Sequence, residues 1–345
     1  MENYVVTGGA GHIGNVLIRE LLKQKKKVKT LALPGEDLSS LEGLDVEILT
    51  GDITDRNFIF KFIQKGDIVF HLAGIVDIAN MTYSVIEKVN FQGTINVVDA
   101  CIENKAKKLV YTSTVHIIDP QQGDVLYEPT SFEHKNLVGN YAKTKALATK
   151  YVTEKAKEGL LDACVVYPSG VIGPYDYRIS ELGQVILDYM NEKLVAYVRG
   201  GYNFVDVRDV ASGLIKAAEK GRSGEGYILS GQYLTVKDML KILNQKLKRK
   251  KLPYKIALWF LKMVAPLANL YYKMRKKKPV FSAYSLYTLN SNGNFSNQKA
   301  KTELGYSSRP IKETLFDTVD WFRQNKSELI KQNKSEKKKK GKKNV

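Results

Sequence analysis

The chain has few of the residues that build disulfide frameworks and metal sites. Its 345 residues include two cysteines, Cys101 and Cys164, which are too few for a disulfide framework. Its four histidines do not cluster with cysteines at metal-site spacing, so we expect no metal. Proline is scarce, at nine residues, and 43% of the residues are hydrophobic, which excludes a collagen-like or disordered chain. These features predict a globular protein with a reduced interior.

Uninterrupted apolar runs are also missing. Residues 1–9 show neither the basic region nor the apolar stretch of a secretory signal, and we expect them to lead into the first strand. The apolar segment 256–272 is interrupted by Lys262, Pro266 and Asn269, which argues against a transmembrane helix. Two alternatives stay open for it: a helix that covers a substrate pocket, which we favour, and a helix lying in a membrane surface. We therefore expect a cytoplasmic protein, with peripheral membrane association as the alternative.

Acidic residues are outnumbered, 36 against 54 basic ones, which gives a formal net charge of +18. Nearly all of the excess lies in three patches of the last third, at residues 241–251, 273–278 and 334–343. The basic tail is not interleaved with aromatic residues, so we expect no nucleic-acid partner. If segment 256–278 touches a membrane, its basic run and the tail would face anionic headgroups.

Short apolar runs alternate with segments of helical length. The predicted strands are residues 4–7, 28–33, 46–49, 68–71, 109–113 and 164–167. The predicted helices are residues 13–22, 57–64, 83–103 and 141–158. This alternation predicts an α/β fold with a doubly wound parallel sheet. The later half of the chain should form a smaller C-terminal lobe that shapes a substrate pocket at the carboxyl ends of the strands.

A glycine-rich loop, TGGAGHIG at residues 7–14, joins the first predicted strand to the first predicted helix. Gly8, Gly11 and Gly14 allow a sharp turn and a close approach of the backbone to a pyrophosphate, whose charge the helix N-terminus favours. Because the loop lies at the first strand-to-helix junction, we favour a dinucleotide site, which includes His12 and Ile13, over an ordinary tight turn.

Tyr141 and Lys145 are four residues apart on a predicted helix, so their side chains share one face. A lysine ammonium beside a phenol favours the phenolate and makes proton exchange feasible near neutral pH. The alternative, an exposed helical face, is the less favoured interpretation because the helix follows the fifth strand. A hydroxyl from the end of that strand, at Ser113 or Thr114, could bond a substrate oxygen.

Five motifs in this order resemble the extended short-chain dehydrogenase/reductase superfamily, the NAD-dependent epimerase/dehydratase family. They are TGGAGHIG, GDITD at 51–55, HLAG at 71–74, VNFQGT at 89–94 and YAKTK at 141–145. In character the chain is most similar to the 3β-hydroxysteroid dehydrogenase and dihydroflavonol reductase group. The resemblance spans about residues 1–322 and implies a Rossmann fold, a nicotinamide cofactor and a homodimer.

The resemblance also implies roles for individual residues. Asp52 would contact the adenine with Ile53 packing on the ring, and Ala73 and Gly74 would line the nicotinamide ribose. Asn90 would organise the site, although a bend in its helix is an alternative explanation.

Pro168 and Ser169 would bring backbone groups near the carboxamide. Thr114 aligns with the catalytic serine of most relatives and Ser113 is its neighbour, although both hydroxyls could instead satisfy backbone groups. Lys145 would also hold the ribose.

The cofactor form stays open. The second strand runs into LALPGED at 31–37, where neither the usual ribose-binding acid nor an arginine is in place. Glu36 or Asp37 could reach back, and we favour NAD over NADP because this loop has no arginine.

We expect an NAD(P)-binding domain over residues 1–167, a mainly substrate-binding lobe with some returning Rossmann elements over 168–330, and a disordered lysine-rich tail over 331–345. The predicted function is an NAD(P)-dependent oxidoreductase acting on an apolar, steroid- or flavonoid-like secondary alcohol or ketone. The aromatic wall of the substrate pocket would come from Tyr175, Tyr177, Tyr189 and Tyr202. The alternatives are a nucleotide-sugar epimerase or dehydratase and a non-catalytic cofactor-sensing or membrane-docking protein.

Overall fold

The computed structural model describes residues 3–76, 82–257 and 283–325. Its strands are β1 (Tyr4–Thr7), β2 (Val28–Ala32), β3 (Glu47–Thr50), β4 (Ile68–His71), β5 (Lys108–Thr112), β6 (Ala163–Pro168), β7 (Gly170–Ile172), β8 (Ala196–Val198), β9 (Gly201–Asp206), β10 (Gly226–Leu229), β11 (Gln232–Thr235) and β12 (Tyr254–Ile256). Its α-helices are α1 (His12–Lys23), α2 (Arg56–Phe62), α3 (Tyr83–Glu87), α4 (Gly93–Glu103), α5 (Asn140–Lys157), α6 (Glu181–Met190), α7 (Val207–Lys220), α8 (Val236–Leu247), α9 (Ala283–Asn290) and α10 (Ile311–Gln324).

Seven strands form one parallel sheet in the order β10-β6-β5-β4-β1-β2-β3. The strand order reverses between β1 and β4, and in such sheets this reversal opens a ligand crevice at the carboxyl ends. The predicted doubly wound α/β fold is confirmed, and all six predicted strands are present with small shifts at their ends.

Both faces of the sheet are covered, as the near-continuous apolar strands require. In β1, Val5 points to the face covered by α2, α4 and α5, whereas Tyr4 and Val6 point to the face covered by α1 and α7. The two resulting cores hold the strand ends, and therefore the loops that follow them, in fixed positions.

The chain leaves the main sheet after β6 and builds a smaller lobe. Strand β9 pairs with β7 in parallel and with β11 antiparallel, and β12 pairs with β8 in parallel. Helix α7 and strand β10 then return to the main sheet, where β10 pairs with β6. The later half of the chain therefore contributes both to the smaller lobe and to the main sheet.

The predicted continuous helix over residues 83–103 is wrong in one respect. The segment consists of α3, a π-helical turn (Lys88–Gln92) and α4. The wider turn accompanies the side-chain bonds of Asn90 to a neighbouring loop, a tertiary contact that hydrophobic periodicity does not encode.

Most of the apolar and basic segment 256–278 and the whole lysine-rich tail over 331–345 lie outside the described residues, so the predictions for them stay predictions. Across the ranges that the structure describes, we find no helix with the length and apolar character needed to span a bilayer.

Candidate active site

The glycine-rich loop lies between β1 and α1, at the carboxyl end of a central strand. Gly8 has a φ of +75°, and a Cβ placed on it would lie 2.8 Å from the backbone nitrogen of Ala73. A Cβ on Gly14 would collide with the carbonyl oxygen of Gly8. Glycine is therefore required at both positions for the loop to pack against the end of β4 and the start of α1.

The start of α1 has the properties of an anion site. Its N-cap is Gly11, so no side chain caps the helix, and its first turn contains no acidic residue. The N–H groups at His12 and Ile13 therefore face the loop without a side-chain acceptor, as a bound pyrophosphate requires. The imidazole of His12 lies 2.9 Å from the carbonyl oxygen of Pro174 and ties this helix to the loop after β7.

A buried histidine connects the loop to β4. The Nδ1 atom of His71 lies 2.7 Å from the hydroxyl of Thr7, which also accepts hydrogen bonds from the backbone of Leu72 and Ala73 at 3.2 Å. The backbone of Ala73 is thus fixed beside the glycine loop. A Cβ on Gly74 would lie 3.1 Å from the Asn90 amide oxygen, so a side chain there would crowd Asn90.

Asn90 joins three segments. Its Oδ1 accepts from the backbone of Ile75 at 2.7 Å, and its Nδ2 donates to the carbonyl of Ile75 at 3.0 Å and to the hydroxyl of Thr144 at 3.3 Å. Thr144 lies on α5, between Tyr141 and Lys145. Asn90 therefore ties the loop after β4 to the helix that carries the predicted catalytic pair.

Tyr141 and Lys145 lie about one turn apart on α5, and Thr114 lies beside Tyr141. Burial raises the pKa of Tyr141 to about 12, against the opposing effect of a hydrogen bond with Thr114. Lys145 is only 4% exposed, and burial lowers its pKa to about 7. Its ammonium donates to the Thr112 carbonyl at 2.6 Å and lies 4.2 Å from the centre of the Tyr111 ring. Near neutral pH the phenol is therefore protonated and can act as a proton donor, and Lys145 is close to the midpoint of its own titration.

The structure distinguishes the two candidate hydroxyls that follow β5, those of Ser113 and Thr114. The hydroxyl of Ser113 lies 2.7 Å from that of Thr149, and Thr149 donates its hydrogen to the carbonyl of Lys145 at 2.6 Å. Ser113 must therefore donate to Thr149, which directs it into α5. Thr114 instead accepts from the backbone N–H of His116 at 3.2 Å and lies close enough to Tyr141 to lower its pKa, which makes Thr114 the better placed of the two for a substrate oxygen.

The predicted adenine contacts lie at the end of β3. Asp52 accepts a hydrogen bond from the backbone of Thr54 at 2.8 Å and orders the turn. Ile53 is 4% exposed, and a Cβ on Gly93 would collide with its side chain. Ile53 thus packs inward, whereas Leu33 at the end of β2 is 47% exposed and offers the apolar surface in this region.

Pro168 ends β6 and Ser169 follows it. The hydroxyl of Ser169 donates to Oδ1 of Asn203 at 3.0 Å, and the same oxygen accepts from the backbone of Gly231 at 2.8 Å. The Ser169 side chain therefore braces the smaller lobe, while its backbone N–H donates to the carbonyl of Leu229 at 3.3 Å.

A cavity of about 430 Å³ opens beside His116, which contacts the predicted catalytic Tyr141. Aromatic side chains form part of its wall: His116, Tyr202, Tyr284, Tyr287 and Phe295. The ring of His116 stacks on Tyr202, with centroids 5.9 Å apart, and meets the edge of Tyr141 at 6.3 Å. Burial lowers the pKa of His116 to about 4, so this imidazole is neutral at neutral pH.

Only one of the four tyrosines expected in the pocket wall lines this cavity. Tyr175 and Tyr177 pack against Trp321, and the hydroxyl of Tyr189 donates to Asn244, so the expectation for these three is wrong. The loop after β7, which carries Tyr175 and Tyr177, folds toward α10 and away from the cavity. The sequence around these two tyrosines does not indicate this direction.

Sequence reasoning missed Tyr284 and Tyr287 as wall residues. Both lie on α9, three residues apart, and both contribute to the cavity wall together with Thr288. Their spacing puts them on one helical face, and that periodicity was the available signal.

Known proteins are similar to this chain in sequence and in fold. The model of the 3-beta hydroxysteroid dehydrogenase/isomerase family matches residues 5–239. Sterol demethylase protein B of Methylococcus capsulatus is 30% identical over 327 residues, which cover 93% of this chain and 98% of that protein. The crystal structure of gox2253 has a TM-score of 0.80 and 30% identity, and covers 93% of this chain and 98% of that one. DesIV, a dTDP-glucose 4,6-dehydratase of Streptomyces venezuelae solved with NAD, has a TM-score of 0.76 and 20% identity over 94% of this chain and 98% of its own, and shares the fold.

The family model covers more than half of the chain, including the glycine loop and the Tyr141–Lys145 helix. The cofactor of this enzyme class is a nicotinamide dinucleotide, NAD or NADP, and the uncapped start of α1 fits its pyrophosphate. The chain is therefore an enzyme of the extended short-chain dehydrogenase/reductase superfamily and belongs to the 3-beta hydroxysteroid dehydrogenase/isomerase family.

Proposed function

We propose that this enzyme is a dehydrogenase, with NAD as the favoured cofactor, that interconverts a secondary alcohol and a ketone on an apolar, ring-shaped molecule. The observation that carries the proposal is the position of Tyr141 beside a cavity with aromatic walls: its ring lies edge-on to that of His116, with centroids 6.3 Å apart, and His116 lines the cavity. The family match and the similarity to a sterol demethylase protein support a steroid-like substrate. The NAD bound to DesIV supports the cofactor.

Side chains of the protein donate and accept the proton that moves to or from the substrate oxygen. The glycine loop and the start of α1 would hold the pyrophosphate of a nicotinamide dinucleotide, which would supply or accept the hydride. Because burial raises the pKa of Tyr141 to about 12, the phenol keeps its hydrogen at neutral pH and donates it to the ketone oxygen during reduction. The hydroxyl of Thr114 donates a second hydrogen bond to the same oxygen as negative charge develops.

Alcohol oxidation runs through the same atoms in reverse. Tyr141 must then take the proton from the substrate hydroxyl, which requires phenolate character. The Lys145 ammonium, buried one helical turn away, favours that phenolate through its charge. The pair thus supports both directions, with Lys145 needed most for oxidation.

The charge of the cavity lining bears on the choice of substrate, since polar and acidic side chains stand beside the aromatic ones. The cavity, at about 430 Å³, falls within the range of small-molecule pockets. The described residues that line it include Asp119 and Glu133 but no lysine or arginine. A nucleotide sugar brings a diphosphate, which this acidic lining would repel, so the electrostatics favour a steroid-like substrate over the nucleotide-sugar alternative.

One polar group in the wall is suited to orient the substrate. The hydroxyl of Tyr202 is buried and has no hydrogen-bond partner among the described residues. Since a buried hydroxyl without a partner is costly, a polar substituent of the substrate would stabilise it.

The proposal is tested by nicotinamide absorbance with the purified full chain. NAD and NADP are offered with hydroxysteroids, other hydrophobic alcohols and the matching ketones, and nucleotide sugars are analysed in parallel for conversion products. We expect cofactor-linked turnover of an apolar alcohol or ketone. Conversion of a nucleotide sugar with no turnover on the apolar panel would overturn the proposal.

A further inference from the structure

An ion pair joins the loop after β2 to the loop after β7. Nη2 of Arg178 lies 2.6 Å from Oε1 of Glu36 and 3.2 Å from the carbonyl oxygen of Asp37. The other carboxylate oxygen of Glu36 accepts a hydrogen bond from the backbone of Leu33 at 2.7 Å. A residue of the later half of the chain is therefore held directly at the carboxyl end of β2.

This end of β2 is where the adenosine ribose of a bound dinucleotide would lie. Strands β1 and β2 are neighbours, with Thr7 opposite Leu31, so the end of β2 adjoins the start of the glycine loop. In dinucleotide folds an acid about 20 residues beyond the glycine loop bonds the ribose 2′-hydroxyl, and an arginine nearby accommodates a 2′-phosphate. Glu36 stands at that distance from Gly14, and the exposed side chain of Leu33 offers apolar surface to an adenine.

The loop that carries Arg178 is firmly anchored. The carbonyl of Tyr175 accepts a hydrogen bond from the Asn15 side chain on α1 at 3.2 Å. The buried carboxylate of Asp176 accepts from the backbone and the hydroxyl of Ser180 at 2.9 and 2.7 Å. Arg178 is therefore positioned by bonds on both sides of it and does not depend on its own ion pair for its location.

We propose that Arg178 binds the 2′-phosphate of NADP and that the Glu36–Arg178 pair lets the enzyme accept NADP as well as NAD. This inference rests on the proposed function. The two bonds to Glu36 and Asp37 both use Nη2, so Nε and Nη1 carry further N–H groups that make no bond to a described residue. The side chain is 40% exposed, and a guanidinium matches a phosphate with paired hydrogen bonds.

The opposite charges of Glu36 and Arg178 determine how this pair interacts with NAD and with NADP. Glu36 offers its carboxylate to the ribose hydroxyls of NAD. With NADP, the positive charge of Arg178 offsets the repulsion between that carboxylate and the 2′-phosphate. The loop after β2 lacks an arginine, yet the fold supplies one from 142 residues further along the chain.

The test is a titration of NADH and NADPH fluorescence with the full chain, which needs no substrate. The variants are R178Q, E36Q and, as a matched control, R222Q, because Arg222 forms a similar exposed pair with Glu303. We expect the wild type to bind both nucleotides. R178Q should weaken NADPH binding by about tenfold or more and NADH binding by less than about threefold, as expected for one charged hydrogen-bonding contact. E36Q should weaken NADH relative to NADPH, and R222Q should change neither.

Retained NADH affinity in R178Q shows that this variant is folded. A wild type that binds NADH but not NADPH, or an R178Q variant with an unchanged ratio of the two affinities, overturns the inference and leaves the proposed function standing. A wild type that binds neither nucleotide overturns both.

Discussion

The Nε2 atom of His71 donates a hydrogen bond to the hydroxyl of Thr94, 3.0 Å away. The direction follows from the next bond, because Thr94 uses its only hydrogen to reach the carbonyl of Asn90 at 2.7 Å. Burial, with a smaller contribution from the charge of Lys145, lowers the pKa of His71 to about 3, so the ring is neutral and its Nδ1 accepts from Thr7. A directed chain of hydrogen bonds thus connects the π-helical turn to the glycine loop.

Breaking this chain should destabilise the fold. Thr94→Val keeps the shape but leaves the buried Nε2–H of His71 without an acceptor, at a cost of about 1–3 kcal/mol in the free energy of unfolding. Thr94→Ser retains the hydroxyl and is the control. Urea unfolding measures both variants, and a valine variant as stable as the serine variant would show that the bond contributes nothing.

Removing the phenol of Tyr141 should abolish catalysis without abolishing cofactor binding. Tyr141→Phe loses the proton donor, so turnover should fall by about 10²–10⁴-fold. Tyr151→Phe is the matched control, because Tyr151 lies on the same helix and bonds Asp99 away from the site. The readouts are turnover with the best substrate from the panel and the affinity for NADH. Retained turnover in Tyr141→Phe would exclude the assigned role.

Lys145 should matter most at low pH. Burial lowers its pKa to about 7, so its ammonium is present below that pH and is lost as the pH rises through it. Lys145→Met removes the charge that favours the Tyr141 phenolate, and each unit by which the pKa of Tyr141 rises is worth about tenfold. We therefore expect alcohol oxidation to fall most below about pH 7 and the difference from wild type to shrink above it.

A pH–rate profile of alcohol oxidation measures this effect. Lys143→Met, on the same helix and outside the pair, is the control. A loss of rate in Lys145→Met that is equal at every pH would point to a purely structural role for the lysine.

Asp206 should make the free energy of unfolding depend on pH in the acidic range. It caps α7 and pairs with Arg208 at 2.7 Å. Burial acts to raise its pKa, but the hydrogen bonds and charge of Arg208, with the charge of Arg309, hold the pKa below its usual value. A lowered pKa in the folded state adds stability above the unfolded value of about 3.9, and that stability is lost as the pH falls through the folded pKa.

The substitution Asp206→Asn isolates this contribution. The amide keeps an acceptor for the cap but loses the charge, so unfolding at neutral pH should become easier by about 1–3 kcal/mol. The gap from wild type should close as the pH falls below the unfolded pKa of about 3.9 and through the lower folded pKa, as measured by denaturant titrations at several pH values. A gap that does not depend on pH would mean that the charge is not what stabilises this helix start.

Much of the fold and part of the site could be predicted locally. Apolar runs bounded by glycine or charge mark buried strands, and the Tyr141–Lys145 spacing puts both side chains on one helical face. Periodicity could not predict the π-helical turn at Asn90, because that turn accompanies bonds to Ile75 in a loop after another strand. Nor could it separate Ser113 from Thr114, since the choice depends on Thr149 across the interface with α5.

The sequence by itself determined the individual strands, the glycine loop and the shared helical face of Tyr141 and Lys145, because each depends on residues within a few positions of one another. Only the tertiary structure decided which aromatic residues line the cavity and which charge stands at the end of β2. Tyr175 turns toward Trp321, and Arg178 reaches Glu36. Both contacts join residues more than 140 positions apart, and such contacts depend on how the layers pack, which spacing along the chain does not encode.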